Sequence, residues 1–134
     1  MQNAGMTTEL TVLAWSVVLL LVHVFSQALT TTAAVGLSYG AGARDQQKDP
    51  GVIPSRLKRA LVNYNETYVG FVALALALAV TGKSGGIAAT GAIVWIVSRV
   101  IYLPLYALGV PYIRTVAFFA SVIGLLMMLV RLVG

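Results

Sequence analysis

The sequence predicts an all-α, integral membrane four-helix bundle, and three observations support this. Of the 134 residues, 59% are hydrophobic and only 10% are charged, and the mean hydropathy is +0.90. Soluble domains carry about 25% charged residues, so a water-soluble domain is disfavoured. A membrane-spanning helix needs about 20 mostly apolar residues. The chain is therefore long enough for four spans with short connections, in a single domain covering residues 1–134.

The apolar runs and their breaks define the elements. Four predicted helices cover about residues 10–37, 54–80, 87–108 and 112–132, and a polar loop covers about 38–54. The first helix becomes polar in its second half, which contains His23 and Gln27. The second helix opens at Pro54, because proline is well tolerated in a first turn. Pro104 predicts a kink near the end of the third helix.

The basic residues predict the orientation of the chain in the membrane. Most of them lie in the first loop and its margins or in the third connection: Arg44, Lys48, Arg56, Lys58, Arg59 and Arg114. The opposite side has only Lys83 and Arg131. The positive-inside rule therefore places the first loop in the cytoplasm and both termini outside. We expect no cleavable signal peptide, since Glu9 precedes the first apolar run and no basic region does.

The composition also disfavours several kinds of chemistry. The chain has no cysteine, which excludes disulfides and a cysteine nucleophile, and its single histidine leaves no expected metal site. The net charge is +5, but the basic residues have no continuous soluble face, so we expect no nucleic-acid partner. We expect His23 to be a hydrogen-bonded packing residue.

Polar residues recur at helical spacing in three of the predicted helices. They are Arg59, Asn63 and Glu66 in the second helix, Arg99, Tyr102 and Tyr106 in the third, and Arg114 at the start of the fourth. Within each helix these residues share one face. The topology brings the start of the second helix, the end of the third and the start of the fourth to the same membrane face. The sequence therefore predicts one polar site at the cytoplasmic side.

The charges of this site indicate a class of ligand. Three arginines face a single carboxylate, which leaves roughly two positive charges for an anion in a medium of low dielectric constant. An arginine fork matches a carboxylate, and Glu66 is able to accept a hydrogen bond from an ammonium group. The expected ligand is a small zwitterion with surplus negative charge. The alternative is that these residues are interfacial anchors and interhelical pairs, with Arg59 or Arg99 bonded to Glu66.

Three segments resemble a known family. The segment RLKRALVNYNE at residues 56–66 resembles the R-x-x-R-A-x-x-N-x-x-E signature of the MAPEG proteins (membrane-associated proteins in eicosanoid and glutathione metabolism). The segment RVIYLPLY at residues 99–106, followed by Arg114, is similar to a second family segment, R-x-x-Y-x-x-x-Y…R. The run GARD at residues 42–45 resembles an element of bacterial members. The resemblance covers about residues 41–119.

The resemblance implies a homotrimer that binds glutathione at its subunit interfaces, in the manner of a bacterial-type microsomal glutathione transferase in the inner membrane. The positions that hold glutathione in the family correspond to Arg59, Asn63, Glu66, Arg99, Tyr102 and Tyr106. The position of Arg114 lies by the thiol, where it stabilises the thiolate. Arg44 and Gln27 are additional candidates for the same site. The implied second substrate is a lipophilic electrophile or a lipid hydroperoxide, for transferase or peroxidase activity without a metal.

Two other functions stay open at this stage. A non-enzymatic lipid- or glutathione-binding scaffold is one, because the resembled family includes the lipoxygenase-activating protein, which lacks the catalytic arginine; Arg114 argues against it here. A small multidrug exporter is the other. Such exporters centre on a carboxylate in the first helix, whereas the membrane core of this first helix has none.

Overall fold

The computed structural model describes residues 5–43 and 48–134, and within these ranges the chain is all-α. Its five helices are α1 (Thr8–Val35), α2 (Leu37–Ala41), α3 (Val52–Val80), α4 (Ile87–Ala107) and α5 (Ile113–Val133). The helices α1, α3, α4 and α5 are each long and apolar enough to cross a membrane. They correspond in order to the four helices predicted from the sequence.

The helix ends differ from the predicted bounds for local reasons. The first helix starts earlier than expected, at Thr8, because the Thr7 side chain accepts a hydrogen bond from the Leu10 N–H at 3.2 Å and so caps it. The helix ends at Val35, since Gly36 adopts φ +95°, which a helix does not accommodate. The short α2 then lies partly in the region predicted as loop. Helix α3 begins at Val52, which places Pro54 in its first turn.

The two central helices of the bundle are α3 and α4. Each of them packs against the other, and both contact α1 and α5. Within the described residues, α1 and α5 do not contact each other, so they lie on opposite sides of the α3–α4 pair. Short connections over residues 81–86 and 108–112 join successive helices and make them antiparallel neighbours.

Helices α4 and α5 approach each other closely at two glycines. A Cβ on Gly91 would lie 2.5 Å from the carbonyl oxygen of Gly124, and a Cβ on Gly124 would lie 2.5 Å from that of Gly91. Neither position tolerates a side chain without displacement of a helix. Small residues at this contact allow the backbones to meet, as in other membrane helix pairs. The contact between Gly91 and Gly124 therefore fixes α5 on α4.

An aromatic cluster fills the centre of the bundle. Trp95 is fully buried and stacks on Phe71, with ring centroids 4.1 Å apart. Its indole Nε1 donates to Thr67 Oγ1 at 3.3 Å. His23 is also fully buried, with its ring centroid 4.7 Å from that of Tyr64. The expectation that His23 is hydrogen-bonded is wrong among the described residues, since neither ring nitrogen has a partner there.

Charged groups close one end of the bundle, which we call the far end: the start of α1, the turn over residues 81–86 and the end of α5. The buried Glu9 accepts a hydrogen bond from the Gly85 N–H at 2.7 Å. Lys83 Nζ donates to the carbonyl oxygen of Leu132 at 2.8 Å, and Arg131 Nε donates to that of Lys83 at 2.9 Å. At the far end, the charged side chains therefore form hydrogen bonds with backbone groups.

The outer faces of the long helices are apolar. Large hydrophobic side chains are exposed on every one of them, including Trp15 (63%), Val69 (75%), Val97 (49%) and Val116 (68%). Such a surface suits contact with lipid chains or with another subunit rather than with water. Together with the four apolar helices, it describes an integral, multi-pass membrane protein.

Candidate functional site

A polar cavity of about 440 Å³ opens at the end opposite the far end, which we call the site end. It lies between α3, the end of α4 and the start of α5. The residues that line it are Arg59, Val62, Asn63, Glu66, Tyr102, Tyr106, Arg114, Thr115 and Phe118. We call this the first cavity. Six of the residues predicted for the site share it, because their spacing places each group on one helix face and the antiparallel helices bring those faces to one level.

Tyr106 separates two arginines in this cavity. Its hydroxyl oxygen accepts a hydrogen bond from Arg59 Nε at 3.2 Å. The guanidinium carbon of Arg114 lies 4.6 Å from the centroid of the Tyr106 ring, within the range of a cation–π contact. A guanidinium group has five N–H donors, so these contacts leave several donors on each arginine for a ligand. Tyr106 thus holds two cations in place without neutralising either.

Arg99 lies behind the wall of the cavity. Its side chain is fully buried, and it is not among the lining residues. Its Nη1 donates to Asn63 Oδ1 at 2.8 Å, and its guanidinium carbon lies 4.3 Å from the Tyr102 ring centroid. The bond occupies the oxygen of the Asn63 amide and leaves the NH₂ group to donate elsewhere. The structure thus places Arg99 against two lining residues rather than within the first cavity.

Glu66 supplies the carboxylate of the first cavity. It is exposed and lines the cavity wall together with Arg59. In the described residues no ion pair joins Glu66 to Arg59 or Arg99, whose side chains instead donate to neutral oxygens. The alternative prediction, in which Arg59 or Arg99 is bonded to Glu66, is therefore not what the structure shows. Among the residues that the structure describes, three arginines at or behind the cavity wall face one carboxylate.

Arg56 supports the turn that leads into Arg114. Its Nη1 donates to the carbonyl oxygen of Ala107, at the end of α4, at 3.3 Å. Its guanidinium also packs on Gly109, where an added Cβ would lie 2.7 Å from the guanidinium carbon. Gly109 adopts φ +71°, and Tyr112, which caps α5, adopts φ +60°. In the sequence, Arg56 served only to predict the membrane orientation and as part of the family signature. Its contact with this turn could not be predicted, because it depends on how α3 packs against the end of α4.

Gln27 lies in a second cavity, of about 290 Å³, between the end of α1, the loop and the start of α3. Its lining residues are Gln27, Thr31, Tyr39, Lys48, Pro50, Pro54, Ser55, Lys58 and Arg59. Arg59 therefore lines both cavities. The structure does not bring Gln27 into the first cavity of its own chain. Arg44, the other additional candidate, lies outside the described residues.

Sequence reasoning gave no role to three lining residues of the first cavity, one of which is Phe118, one helical turn after Arg114 on α5. Thr115 directly follows Arg114 and adds a hydroxyl group, and Val62 lies one residue before Asn63 on α3. Their positions next to predicted site residues were the available signal. Among residues 5–43 and 48–134, no group of three metal-ligating side chains comes together. The chemistry of the first cavity is thus that of arginines, tyrosines, an amide and one carboxylate.

These features define a class of protein, a four-span membrane protein with a cationic polar cavity between its helices at one membrane face. A comparison with protein families matches residues 12–134 to the MAPEG family. The match covers most of the chain, and the protein belongs to this family. Membership implies a membrane enzyme of glutathione or eicosanoid metabolism, since family members are generally glutathione-dependent. Neither the comparison with curated proteins nor that with solved structures gives a match.

Proposed function

We propose that the protein is a glutathione S-transferase that binds glutathione in the first cavity and activates its thiol for attack on lipophilic electrophiles. The observation that carries this proposal is the imbalance of charge around the cavity. Arg59, Arg99 and Arg114 contribute three positive charges, and Glu66 contributes one negative charge. The cavity volume of about 440 Å³ lies in the range usual for small-molecule sites.

The charge of glutathione matches this imbalance in its reactive form. Glutathione has two carboxylates, one ammonium group and a thiol, so its thiolate form has a net charge of −2. The three arginines and Glu66 leave a net charge of +2 at the site. Arginine N–H groups suit the carboxylates, while Glu66 suits the ammonium group. The site therefore complements the thiolate better than the thiol, and this difference is what activation of the sulfur requires.

Arg114 is the residue we assign to the sulfur. It lies in the first turn of α5, half-buried at the cavity wall, with its guanidinium over the Tyr106 ring. A nearby positive charge favours the ionised form of a thiol and lowers its pKa from about 8.5. We assign Arg59, Asn63, Glu66, Tyr102 and Tyr106 to direct binding of the tripeptide. Arg99 acts through Asn63 and Tyr102, which it contacts.

The proposed transfer reaction forms one bond and breaks another. The thiolate sulfur attacks an electrophilic carbon, a C–S bond forms, and the leaving group departs with the bonding electron pair. The site contributes by populating the thiolate and by holding two reactants together. The peroxidase activity we propose uses the same thiolate. Its sulfur attacks a hydroperoxide oxygen, which releases an alcohol after protonation, and a second glutathione converts the resulting sulfenic acid to glutathione disulfide and water.

We further propose that the functional unit is a homotrimer, in the bacterial inner membrane, with the first cavity facing the cytoplasm and both termini outside. Exposed apolar side chains on all four long helices leave room for subunit contacts. Size measurement of the purified protein in mild detergent tests the assembly. A monodisperse monomer or dimer that still binds glutathione would contradict the trimer.

A conjugation assay with the purified full chain tests the activity. The probe is glutathione with 1-chloro-2,4-dinitrobenzene, and product formation is followed together with the ultraviolet absorbance of the bound thiolate. We expect wild-type protein and the far-end variant Arg131→Ala to give both signals, since Arg131 lies away from the cavity. Absence of both signals from a correctly assembled wild-type protein would overturn the proposed function.

A further inference from the structure

The second cavity has the composition of an anion site of its own. Three cationic side chains, those of Lys48, Lys58 and Arg59, line it and are exposed, and none of the described residues that line it is acidic. The nearby Asp49 is turned onto its own loop, where Oδ1 accepts the Gly51 N–H at 2.9 Å. The cavity therefore gathers positive charge beyond that of the first cavity.

Polar groups that are partly buried line the rest of the second cavity. Gln27, Thr31, Tyr39 and Ser55 are all half-buried there. The Gln27 amide donates to Thr31 Oγ1 at 3.1 Å, and the Tyr39 hydroxyl accepts the Lys48 N–H at 3.1 Å. A hydroxyl group that accepts a bond in this way keeps its own proton to donate. The cavity thus combines neutral donors with exposed cations, a combination that suits a phosphate group.

The depth of the second cavity matches the level of lipid headgroups. Helix α1 has 28 residues, so it is about 42 Å long and exceeds the hydrocarbon core of about 30 Å. Gln27 and Thr31 lie roughly 29 to 35 Å from the start of α1 at a rise of 1.5 Å per residue. The charged far end marks the opposite boundary, because Glu9 lies at the start of the same helix. The cavity therefore lies where the hydrocarbon gives way to phosphates.

An exposed apolar side chain lies on the same face of α1 as the cavity residues, toward the membrane core. Val24, one helical turn before Gln27, is 37% exposed. A free phosphate ion makes no favourable contact with such a side chain, whereas a phospholipid has acyl chains that pack against it. Together with the depth of the cavity, this side chain favours a lipid as the source of the phosphate.

We propose that the second cavity binds the phosphate of an anionic phospholipid headgroup. The residues we assign to the phosphate are Lys48, Lys58 and Arg59, with Gln27 and Tyr39 as neutral partners. This proposal rests on the second cavity alone and requires no activity of the first. It also gives Gln27 a role different from the one that the sequence predicted.

In the experiment, purified full-length protein in a neutral detergent is titrated with three probes, and the dissociation constant of each is measured by calorimetry. The probes are short-chain phosphatidylglycerol, short-chain phosphatidylcholine and inorganic phosphate. The test variants are Lys48→Gln/Lys58→Gln and Gln27→Leu, and the matched control is Lys83→Gln at the far end. Arg59 is left intact, because it lines both cavities and its loss would mix their effects.

We expect phosphatidylglycerol to bind wild type and Lys83→Gln equally and the double variant about tenfold more weakly, as for the loss of charge-assisted hydrogen bonds. We expect Gln27→Leu to weaken binding as well. If phosphatidylcholine and inorganic phosphate both bind more weakly than phosphatidylglycerol, the site recognises an anionic lipid headgroup. If inorganic phosphate binds as tightly as phosphatidylglycerol, the site is one for the free ion and the lipid proposal is overturned. Unchanged phosphatidylglycerol binding in the correctly assembled double variant overturns the proposal. None of these outcomes depends on glutathione conjugation.

Discussion

The two ends of the bundle use charged residues in different ways. At the far end, Glu9, Lys83 and Arg131 each bond to a backbone group that a helix end or turn would otherwise leave unpaired. At the site end, the hydrogen bonds of Arg59 and Arg99 go to neutral side chains, which leave their charges in place. The same residue types therefore fasten helices together at one end and surround a cavity at the other.

This difference separates stability from function within one small bundle. At the far end each of these three side chains has a backbone partner, so we expect mutations there to change stability. In the described part of the chain, the first cavity has one carboxylate, that of Glu66, for the three arginines at or behind its wall, and a bound anion would relieve the surplus positive charge. We therefore expect mutations there to change ligand binding or reactivity more than stability. The following variants test this division.

The largest effect is expected on glutathione binding. Arg59→Ala and Glu66→Ala should each weaken glutathione affinity by about 1.5–3 kcal/mol, as expected for a hydrogen bond between charged partners. Both side chains are exposed, so the melting temperature should change little. The measurement is calorimetric titration with glutathione in detergent, with Arg131→Ala as the far-end control. Wild-type affinity in a correctly assembled variant would remove that residue from the site.

The next effect is on reactivity rather than binding. Arg114→Ala should leave glutathione affinity nearly unchanged, because the carboxylates and ammonium group are held elsewhere. Loss of a neighbouring cation raises the pKa of the bound thiol, and a rise of one to two units implies a roughly ten- to hundredfold smaller thiolate fraction at pH 7. The rate should therefore fall at neutral pH and recover as the pH rises. The rate loss should be somewhat smaller than the loss of thiolate, since a more basic thiolate is a better nucleophile.

The pH–rate profile of conjugation, measured for wild type, Arg114→Ala and Arg114→Lys, tests whether Arg114 lowers the pKa of the bound thiol. Arg114→Lys should restore only part of the rate, because an ammonium group retains the charge but loses the planar fork. If all three proteins share one apparent pKa, Arg114 is an anchor at the membrane edge and another group activates the thiol.

The far end supplies a third prediction, this time on stability. Glu9→Ala leaves the Gly85 N–H without its acceptor, which should cost about 1–3 kcal/mol of unfolding free energy. Glu9→Gln should cost less, because an amide oxygen is still able to accept that bond. Thermal unfolding followed by circular dichroism compares the two variants, and glutathione affinity serves as the control. A stability of Glu9→Ala equal to wild type, or a loss of glutathione affinity at unchanged stability, would break the division between the ends.

Helical spacing was enough to predict much of the first cavity. Arg59, Asn63 and Glu66 share one face of α3, and the antiparallel order of the helices brings Tyr106 and Arg114 to their level. These inferences need only the period of a helix and short connections. The four apolar helices followed from length and hydropathy in the same way.

Depth and tertiary neighbours could not be read from that spacing. Periodicity places Arg99 on the face of Tyr102 but does not show that Arg99 is buried behind Asn63. The position of Gln27 in a separate cavity depends on how α1 approaches the start of α3. Likewise, Gly36 ends α1 through its positive φ, and glycine alone does not specify that conformation.

The smallest expected effect concerns Arg56. This residue lies at the site end, but its hydrogen-bond partner is a backbone group, as for the charged residues of the far end. Its guanidinium donates to the Ala107 carbonyl and packs on Gly109, so it supports the turn before Arg114. Arg56→Ala should cost only about 0.5–1.5 kcal/mol of stability, the usual net value of a hydrogen bond. If the turn positions Arg114, kcat should fall severalfold while glutathione affinity stays near wild type, because misplacement of a reacting group affects the rate.

Gly109 provides the partner for a double-mutant cycle with Arg56, measured on both melting temperature and kcat, with Asn65→Ala at an exposed position of α3 as control. Gly109→Ala alone should be costly, because φ +71° disfavours a side chain and the added Cβ would meet the guanidinium. In the Arg56→Ala background that collision is gone and only the backbone strain remains, so the two effects should not add. Additive effects would show that the two residues do not act on each other. Loss of glutathione affinity in Arg56→Ala would instead place Arg56 among the binding residues, and the site end would then hold no purely structural charge.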